Sequence, residues 1–163
     1  MRRIPLLAAA CSIVLSTIVL LTAPLAVSAH ERRVIADGRY QVVIGFIDEP
    51  AFTGEKNGLV LRVSELSEAT PGAGEEAEGV PVEGLEETVH AEVVFGDQSM
   101  ELPLDPAFGE PGAYESVFFP TEAGDYTFRL FGTIGDAEID ESFTSSPEGF
   151  DSVQDPEPLQ FPK

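Results

Sequence analysis

The chain has 163 residues, of which 29 are acidic and nine are lysine or arginine, giving a formal net charge of −20. A surface this negative repels phosphate groups, which disfavours binding to nucleic acid or to an anionic membrane surface. Cys11 is the only cysteine and lies in the apolar N-terminal segment. The rest of the chain therefore has no disulfide, thiolate nucleophile or thiolate metal ligand to offer.

The first 29 residues are predicted to be a leader. Arg2 and Arg3 precede an almost uninterrupted apolar run over 4–27, and the small residues up to Ala29 suit a signal peptidase. Cleavage there would start the mature chain at His30 and change the formal charge to −22, because both leader arginines are lost. The run also exceeds the roughly 20 residues that span a bilayer, so an uncleaved anchor helix is the alternative. Both interpretations predict an extracytoplasmic domain: secreted, periplasmic, or tethered to the outer face of the cytoplasmic membrane through this segment alone.

Seven downstream segments alternate apolar and polar residues or form short apolar runs, as β-strands do. Clusters of Gly, Pro, Asp and Asn separate them, and no apolar period of 3.6 residues follows the leader. This pattern predicts an all-β fold, an immunoglobulin-like β-sandwich of about seven strands formed by residues 30–144. The predicted strands are 39–47, 59–64, 88–95, 100–104, 114–119, 125–134 and 137–143.

Two segments lack this pattern. Residues 67–81 are rich in Glu, Ala, Gly and Pro, which predicts a mobile acidic loop inserted between strands. Residues 145–163 form an acidic, proline-rich C-terminal tail that is predicted to be extended or disordered. Phe150, Leu159 and Phe161 in this tail either pack on the sandwich or are incidental.

Residues 79–85, GVPVEGL, are followed by a predicted strand and resemble the extracytoplasmic YtkA-like domain. Residues 120–128, PTEAGDYTF, resemble a late-strand motif shared by YtkA-like and CopC-like domains. In the second motif a glycine turn precedes Tyr126, whose ring can be buried while its hydroxyl ties down the corner of the strand. The resemblance implies an immunoglobulin-like fold and a non-catalytic bacterial binding module. It also implies copper binding, because CopC-like proteins hold copper with the amine and imidazole of a mature N-terminal histidine, a second histidine and an acid.

The candidate metal ligands follow from cleavage before His30. Its free amine and its imidazole would form a chelate suited to copper(II), which prefers nitrogen ligands in a tetragonal plane. His90 faces outward on a predicted strand and could supply a third nitrogen, while Glu31, Asp48 or Glu92 could supply an oxygen. The alternative is that both histidines are ordinary polar surface residues.

Two acidic groups are candidates for other chemistry. Asp48 and Glu49 precede Pro50 and could form a carboxylate pair for acid–base chemistry or calcium, but a strand-ending turn is favoured. The acids within 136–141 lie along one predicted strand, where negative charge discourages strand-to-strand aggregation.

The sequence contains no Gly-x-Ser-x-Gly, His-Glu-x-x-His or phosphate-binding glycine motif. We therefore predict no catalytic or cofactor-binding residues and no enzymatic activity. The favoured hypothesis is a secreted or membrane-tethered module that contacts an unidentified extracytoplasmic protein. The alternative is an extracytoplasmic copper(II)-binding protein that uses His30.

Overall fold

A computed structural model describes residues 29–67, 79–147 and 149–163. Within these residues the chain forms ten strands arranged in two antiparallel sheets. The predicted leader lies outside the described residues apart from Ala29, and so do residues 68–78 of the predicted acidic loop.

The first sheet has the strand order β1-β2-β3-β8-β7, with β4 paired to the end of β3. Its strands are β1 Glu31–Ile35, β2 Tyr40–Phe46, β3 Asn57–Glu65, β4 Val80–Pro81, β7 Asp105–Pro106 and β8 Ala113–Phe118. The second sheet has the order β10-β9-β5-β6. Its strands are β5 Val89–Phe95, β6 Gln98–Leu102, β9 Thr127–Ile134 and β10 Ala137–Thr144.

The prediction of an all-β sandwich is confirmed, and each of the seven predicted strands overlaps an observed one. Three short strands were not predicted: β1, β4 and β7. β1 begins with Glu31, Arg32 and Arg33, which have no apolar alternation, and it forms because its backbone pairs with β2 from Glu31↔Ile44 to Ile35↔Tyr40. Backbone pairing at a sheet edge leaves little trace in side-chain pattern.

The two sheets pack face to face on a shared core of alternating strand residues. Aromatic rings fill the end of the core near the start of β9, with ring centroids 5.3 to 6.3 Å apart in tilted and edge-to-face pairs. The rings belong to Phe46, Phe118, Tyr126, Phe128 and Phe150.

The C-terminal tail is part of this core. The Phe150 ring is fully buried, 5.6 Å from the Phe46 ring and 5.3 Å from the Phe128 ring. Val153 exchanges two backbone hydrogen bonds with Gly124, which ties the tail to the turn before β9. Of the two alternatives for the tail aromatics, packing therefore applies to Phe150, whereas Leu159 and Phe161 are exposed.

Tyr126 closes the corner before β9 as the sequence motif predicts. Its ring is buried, and its hydroxyl donates to the backbone oxygen of Glu122 at 3.0 Å. Gly124 makes the turn with a φ of 136°, which a residue with a side chain resists. This short loop thus fixes where β9 begins.

Helix is scarce in the described chain. Its helical turns, Leu85–Glu87 and Glu157–Leu159, are three residues each. Neither turn could cross a bilayer, and the described residues contain no longer apolar helix.

Candidate functional site

A polar niche lies over Gly45 on the outer face of the first sheet. Ile44 and Phe46 point into the core, so Gly45 faces outward, and its missing side chain leaves room above the strand. A Cβ atom added to Gly45 would lie 2.8 Å from His30 Cδ2 and 3.3 Å from Glu49 Oε1. His30 and Glu49 therefore meet over this glycine, and we call the three residues the Gly45 niche.

The strand register brings these groups together. β1 pairs with β2 as far as Glu31↔Ile44, so His30 follows directly over the next residue of β2, which is Gly45. Glu49 enters from the turn after β2. The C-terminal tail borders the niche, because Asp151 in the tail forms a backbone hydrogen bond with the Glu49 carboxylate.

Glu49 carries an unsatisfied acceptor. Its Oε1 atom is buried and has no hydrogen-bond partner. Burial raises the pKa of the Glu49 carboxyl to about 7, and the negative charge of Asp151 raises it further, while backbone hydrogen bonds from Phe46 and Asp151 oppose the shift. Glu49 is therefore partly protonated near neutral pH and can accept a proton or a cation there.

His30 is half-buried beside Glu49. Burial lowers the pKa of its imidazole, the positive charge of Arg62 lowers it further, and a backbone hydrogen bond with Phe46 opposes the shift. The imidazole is therefore mostly neutral at pH 7, which is the form that coordinates metal ions.

His90 lies elsewhere. It projects from β5 on the outer face of the second sheet, where its ring stacks on Phe131 at 5.3 Å and its Nδ1 lies 3.4 Å from Glu101 Oε1. Packed sheets are about 10 Å apart, and His30 and His90 face away from each other on opposite outer surfaces. The structure does not bring the two histidines together.

The three predicted acidic ligands are also dispersed. Glu92 shares the outer face of the second sheet with His90 and lies 3.5 Å from an Arg129 nitrogen. Glu31 accepts a hydrogen bond of 2.6 Å from Arg33, and Asp48 is exposed in the turn after β2. Among residues 29–67, 79–147 and 149–163, no three or more His, Cys, Asp or Glu side chains are grouped closely enough to hold a metal ion.

A second candidate site is the side of the sandwich between β6 and β8, which we call the open side. A pocket of about 220 Å³ lies there between the sheets. Apolar and aromatic side chains dominate its lining, including Phe95, Met100, Phe118, Phe119 and Tyr126. Phe119 is 58 % exposed and Met100 is 49 % exposed. Large apolar side chains that remain exposed around a pocket are typical of a contact surface.

The opposite side of the sandwich, between β1 and β10, is bridged. Arg33 donates to Glu141 at 3.1 Å and to the backbone oxygen of Ser142 at 3.0 Å, and its guanidinium lies 4.1 Å from the centre of the Phe143 ring. One long side chain thus links the two sheets at their β1–β10 edge. The open side instead exposes Met100 and Phe119 to solvent.

The open side is also acidic. No lysine or arginine occurs in the sequence between Arg62 and Arg129, a stretch that supplies β5, β6, β7 and β8. The exposed Glu122 lines the pocket, and the exposed Asp97 precedes the lining residue Gln98 in the β5–β6 turn. This surface therefore favours a partner that combines apolar and basic groups.

The chain matches no protein-family model, no curated protein and no solved structure. The candidate sites are therefore supported by the geometry of the structure alone. The sequence favours a turn at Glu49, since its position before Pro50 gives no sign of the tail that packs beside it. The outward-facing Gly45 one residue before the end of β2 is the sequence signal for the niche.

Proposed function

We propose that this protein is a non-catalytic, extracytoplasmic binding module of the immunoglobulin-like type that contacts a protein partner. Support for the immunoglobulin-like assignment comes from the two antiparallel sheets and from the Tyr126 corner, a feature of such folds. Support for export comes from the N-terminal leader pattern, and support for a non-catalytic role comes from the lack of catalytic motifs in the sequence.

The proposed protein contact is at the open side. Its half-exposed Met100 and Phe119 flank a pocket that continues into the aromatic end of the core. Burial of apolar side chains such as these stabilises a complex by roughly 25 cal/mol per Å² of area removed from water. Since β6 is the last strand of its sheet, the same surface also offers backbone hydrogen-bonding groups.

Site-specific photo-crosslinking in the native host tests this contact. A photoreactive phenylalanine analogue at position 119 should yield a defined adduct with an extracytoplasmic protein. The same analogue at position 108 is the matched control, because Phe108 is fully exposed and does not line the open side. Met100→Ser should strongly reduce the adduct formed from position 119.

Two outcomes would contradict the proposal. Equal crosslinking from positions 108 and 119 would mean that adducts reflect exposure alone. An adduct from position 119 that is unchanged by Met100→Ser would mean that the open side does not form the contact.

A second candidate function is copper(II) binding at the Gly45 niche. It is supported by one specific observation: the buried, unpaired Oε1 atom of Glu49 lies beside the half-buried His30 over a glycine. A neutral imidazole nitrogen and a carboxylate oxygen are both ligands that copper(II) accepts. The set differs from the predicted one, since Glu49 takes the place of His90 and of the other acids.

Leader cleavage would complete the donor set. The backbone oxygen of Ala29 lies 3.0 Å from the Cβ position of Gly45, so the chain just before His30 passes over the niche. Cleavage after Ala29 would leave the α-amine of His30 near that place. The amine and imidazole of His30 would then bind the ion, and Glu49 would supply the negatively charged oxygen. The copper ion would be the cargo of the protein.

Titration of the mature chain with copper(II) tests this candidate. We expect one tight equivalent for a chain that begins at His30, and loss of tight binding when an alanine precedes His30, because the amine is then an amide. Glu49→Gln and Gly45→Ala should weaken binding, the latter because a methyl group fills the niche.

His90→Gln is the matched control, since it removes the histidine on the opposite sheet and should leave the affinity unchanged. Binding that is indifferent to the N-terminal extension, or that is lost in His90→Gln, would refute the niche as the site.

A further inference from the structure

A pocket of about 360 Å³ lies on the outer face of the first sheet, away from the open side. Its polar lining consists of Arg32, Gln41, Arg62 and Ser64, and the remaining lining includes Val43 and Pro81. Both charged residues in the lining are arginines, in a chain whose net charge is −20. We call this site the arginine pocket.

The strand register places the two arginines on either side of one residue. Arg32 on β1 pairs with Val43 on β2, and Val43 pairs with Arg62 on β3. Neighbouring strands are about 4.8 Å apart, so the backbones of the two arginines are about 10 Å apart across the same face. Two guanidinium groups can therefore converge on a small group above Val43.

Gln41 adds a buried donor that has no acceptor. It is 3 % exposed, and its Oε1 atom accepts a hydrogen bond of 2.9 Å from Arg32 Nη1. This bond assigns the amide orientation, because the amide nitrogen could not face the arginine donor. The Nε2 atom is buried and has no hydrogen-bond partner. A buried amide donor without an acceptor is rare in proteins and calls for an unseen water or ligand.

We propose that the arginine pocket binds a small organic carboxylate. Arg62 already pairs with a carboxylate at this place, since its Nη2 donates to Glu110 Oε2 at 2.9 Å, and both side chains are about half exposed. A ligand carboxylate would replace this exposed contact and accept from the Arg62 fork. In the bound state Arg32 turns from Gln41 towards the ligand. This movement uncovers the Gln41 side-chain amide, and its Nε2 atom donates to the second oxygen of the ligand carboxylate.

This site does not depend on the open side or on a metal ion. The pocket volume suits a molecule of a few carbon atoms, at the lower end of the range for small-ligand sites. The presence of two arginines favours a dicarboxylate over a monocarboxylate, because the second carboxylate can pair with Arg32.

The test is a titration of ¹⁵N-labelled protein with succinate, and in parallel with inorganic phosphate, at constant ionic strength set with sodium chloride. Succinate should produce saturable shifts of the Gln41 side-chain amide and of the Val43 and Ser64 backbone amides. Arg62→Gln should weaken binding at least tenfold. Gln41→Glu keeps the side-chain shape but replaces the donor with an acceptor, so it should abolish binding.

Arg39→Gln is the matched control, because Arg39 is an exposed arginine paired with Asp136 outside the pocket lining, and succinate should bind this variant normally. Arg62 is itself exposed, so Arg62→Gln keeps the test valid if Gln41→Glu folds poorly. Absence of saturable shifts with succinate would overturn the proposal and leave a water molecule as the partner of Nε2. Saturable shifts with phosphate but not with succinate would overturn it as well. So would succinate binding by Arg62→Gln that is as tight as binding by the unsubstituted protein.

Discussion

The outer faces of the two sheets differ in whether their polar side chains have partners. On the second sheet the polar groups are paired: Arg129 donates to both carboxylate oxygens of Asp140 at 2.8 Å, and His90 lies beside Glu101. On the first sheet and its rim, Gln41 and Glu49 each have one buried side-chain atom without a partner.

Exposed ion pairs and buried unpaired atoms differ in what a ligand could gain by binding to them. Exposed ion pairs contribute little to stability, with a median of about 0–1 kcal/mol, and water satisfies their remaining donors and acceptors. A buried polar atom without a partner costs about 1–3 kcal/mol, and a ligand that satisfies it recovers that cost. The first sheet and its rim therefore hold buried polar atoms that a ligand could satisfy, whereas Arg129 and His90 on the second sheet already lie beside acidic partners.

Phe150→Ala should have the largest effect on the first sheet, because the C-terminal tail borders the rim of that sheet. Removing a fully buried phenylalanine should lower the free energy of unfolding by about 3–5 kcal/mol. Detachment of the tail would also expose Glu49, so the pKa of its carboxyl should fall towards its ordinary value. Urea denaturation measures the first effect, and NMR titration of the Glu49 carboxyl carbon measures the second.

Phe161→Ala is the control for this substitution, since Phe161 is 95 % exposed and should be replaced at little cost. If the two variants were equally stable, Phe150 would not be an anchor and the tail would not support the niche.

Glu49→Gln should remove a pH-dependent cost from the first sheet. The pKa of about 7 in the folded protein lies above the ordinary carboxyl value of 4.5, so between these pH values the folded chain binds more protons than the unfolded chain. Stability therefore falls as pH rises through this window, and the cost is absent below it. Since Glu49 is only partly buried, we expect the variant to exceed the natural protein by about 1–3 kcal/mol at pH 8 and by almost nothing at pH 4.

Asp48→Asn is the matched control for Glu49→Gln, because it removes one charge from the exposed residue next to Glu49. Its effect on the free energy of unfolding should not grow with pH in the same way. If the difference in free energy of unfolding between Glu49→Gln and the natural protein stayed constant from pH 4 to pH 8, the Glu49 carboxyl would ionise freely in the folded protein.

The two faces differ in how much of them the sequence could predict. Alternation and turn residues predicted seven of the ten described strands, because burial on one face of a strand imposes a period of two, but they did not predict the short strands β1, β4 and β7 of the first sheet. The tyrosine corner was also predictable, because a glycine turn followed by tyrosine is a local motif. On the second sheet, the outward position of His90 followed from the same alternation and is confirmed.

The sites on the first sheet depend on contacts between distant residues. Arg32 and Arg62 are 30 positions apart, and only the register of three strands aligns them. Glu49 becomes buried because a tail about 100 residues later packs beside it, and the composition of that tail predicts disorder. Phe150 is one aromatic residue among prolines and acids, so no periodicity marks it as core.

Gln41→Met tests the contrast more finely, because it replaces the unsatisfied amide with an apolar group of similar size. We expect the free energy of unfolding to rise by about 1 kcal/mol, since the buried donor is removed and Arg32 can turn to solvent. Gln98→Met, at an exposed position on β6, should change it by less than about 0.5 kcal/mol. A loss of stability in Gln41→Met would show that the amide nitrogen already has a partner, such as a bound water.

Arg129→Gln should have the smallest effect, although Arg129 makes the most ideal ion-pair geometry on the second sheet. The guanidinium contacts Asp140 through two parallel hydrogen bonds of 2.8 Å and lies 4.7 Å from the centre of the Phe131 ring. Because these groups are exposed, we expect only a small loss of stability at low salt. Added salt should reduce that loss, since the Debye length falls from about 10 Å at 0.1 M to about 3 Å at 1 M. A loss of stability as large as that of Phe150→Ala, unchanged in 1 M salt, would contradict this expectation.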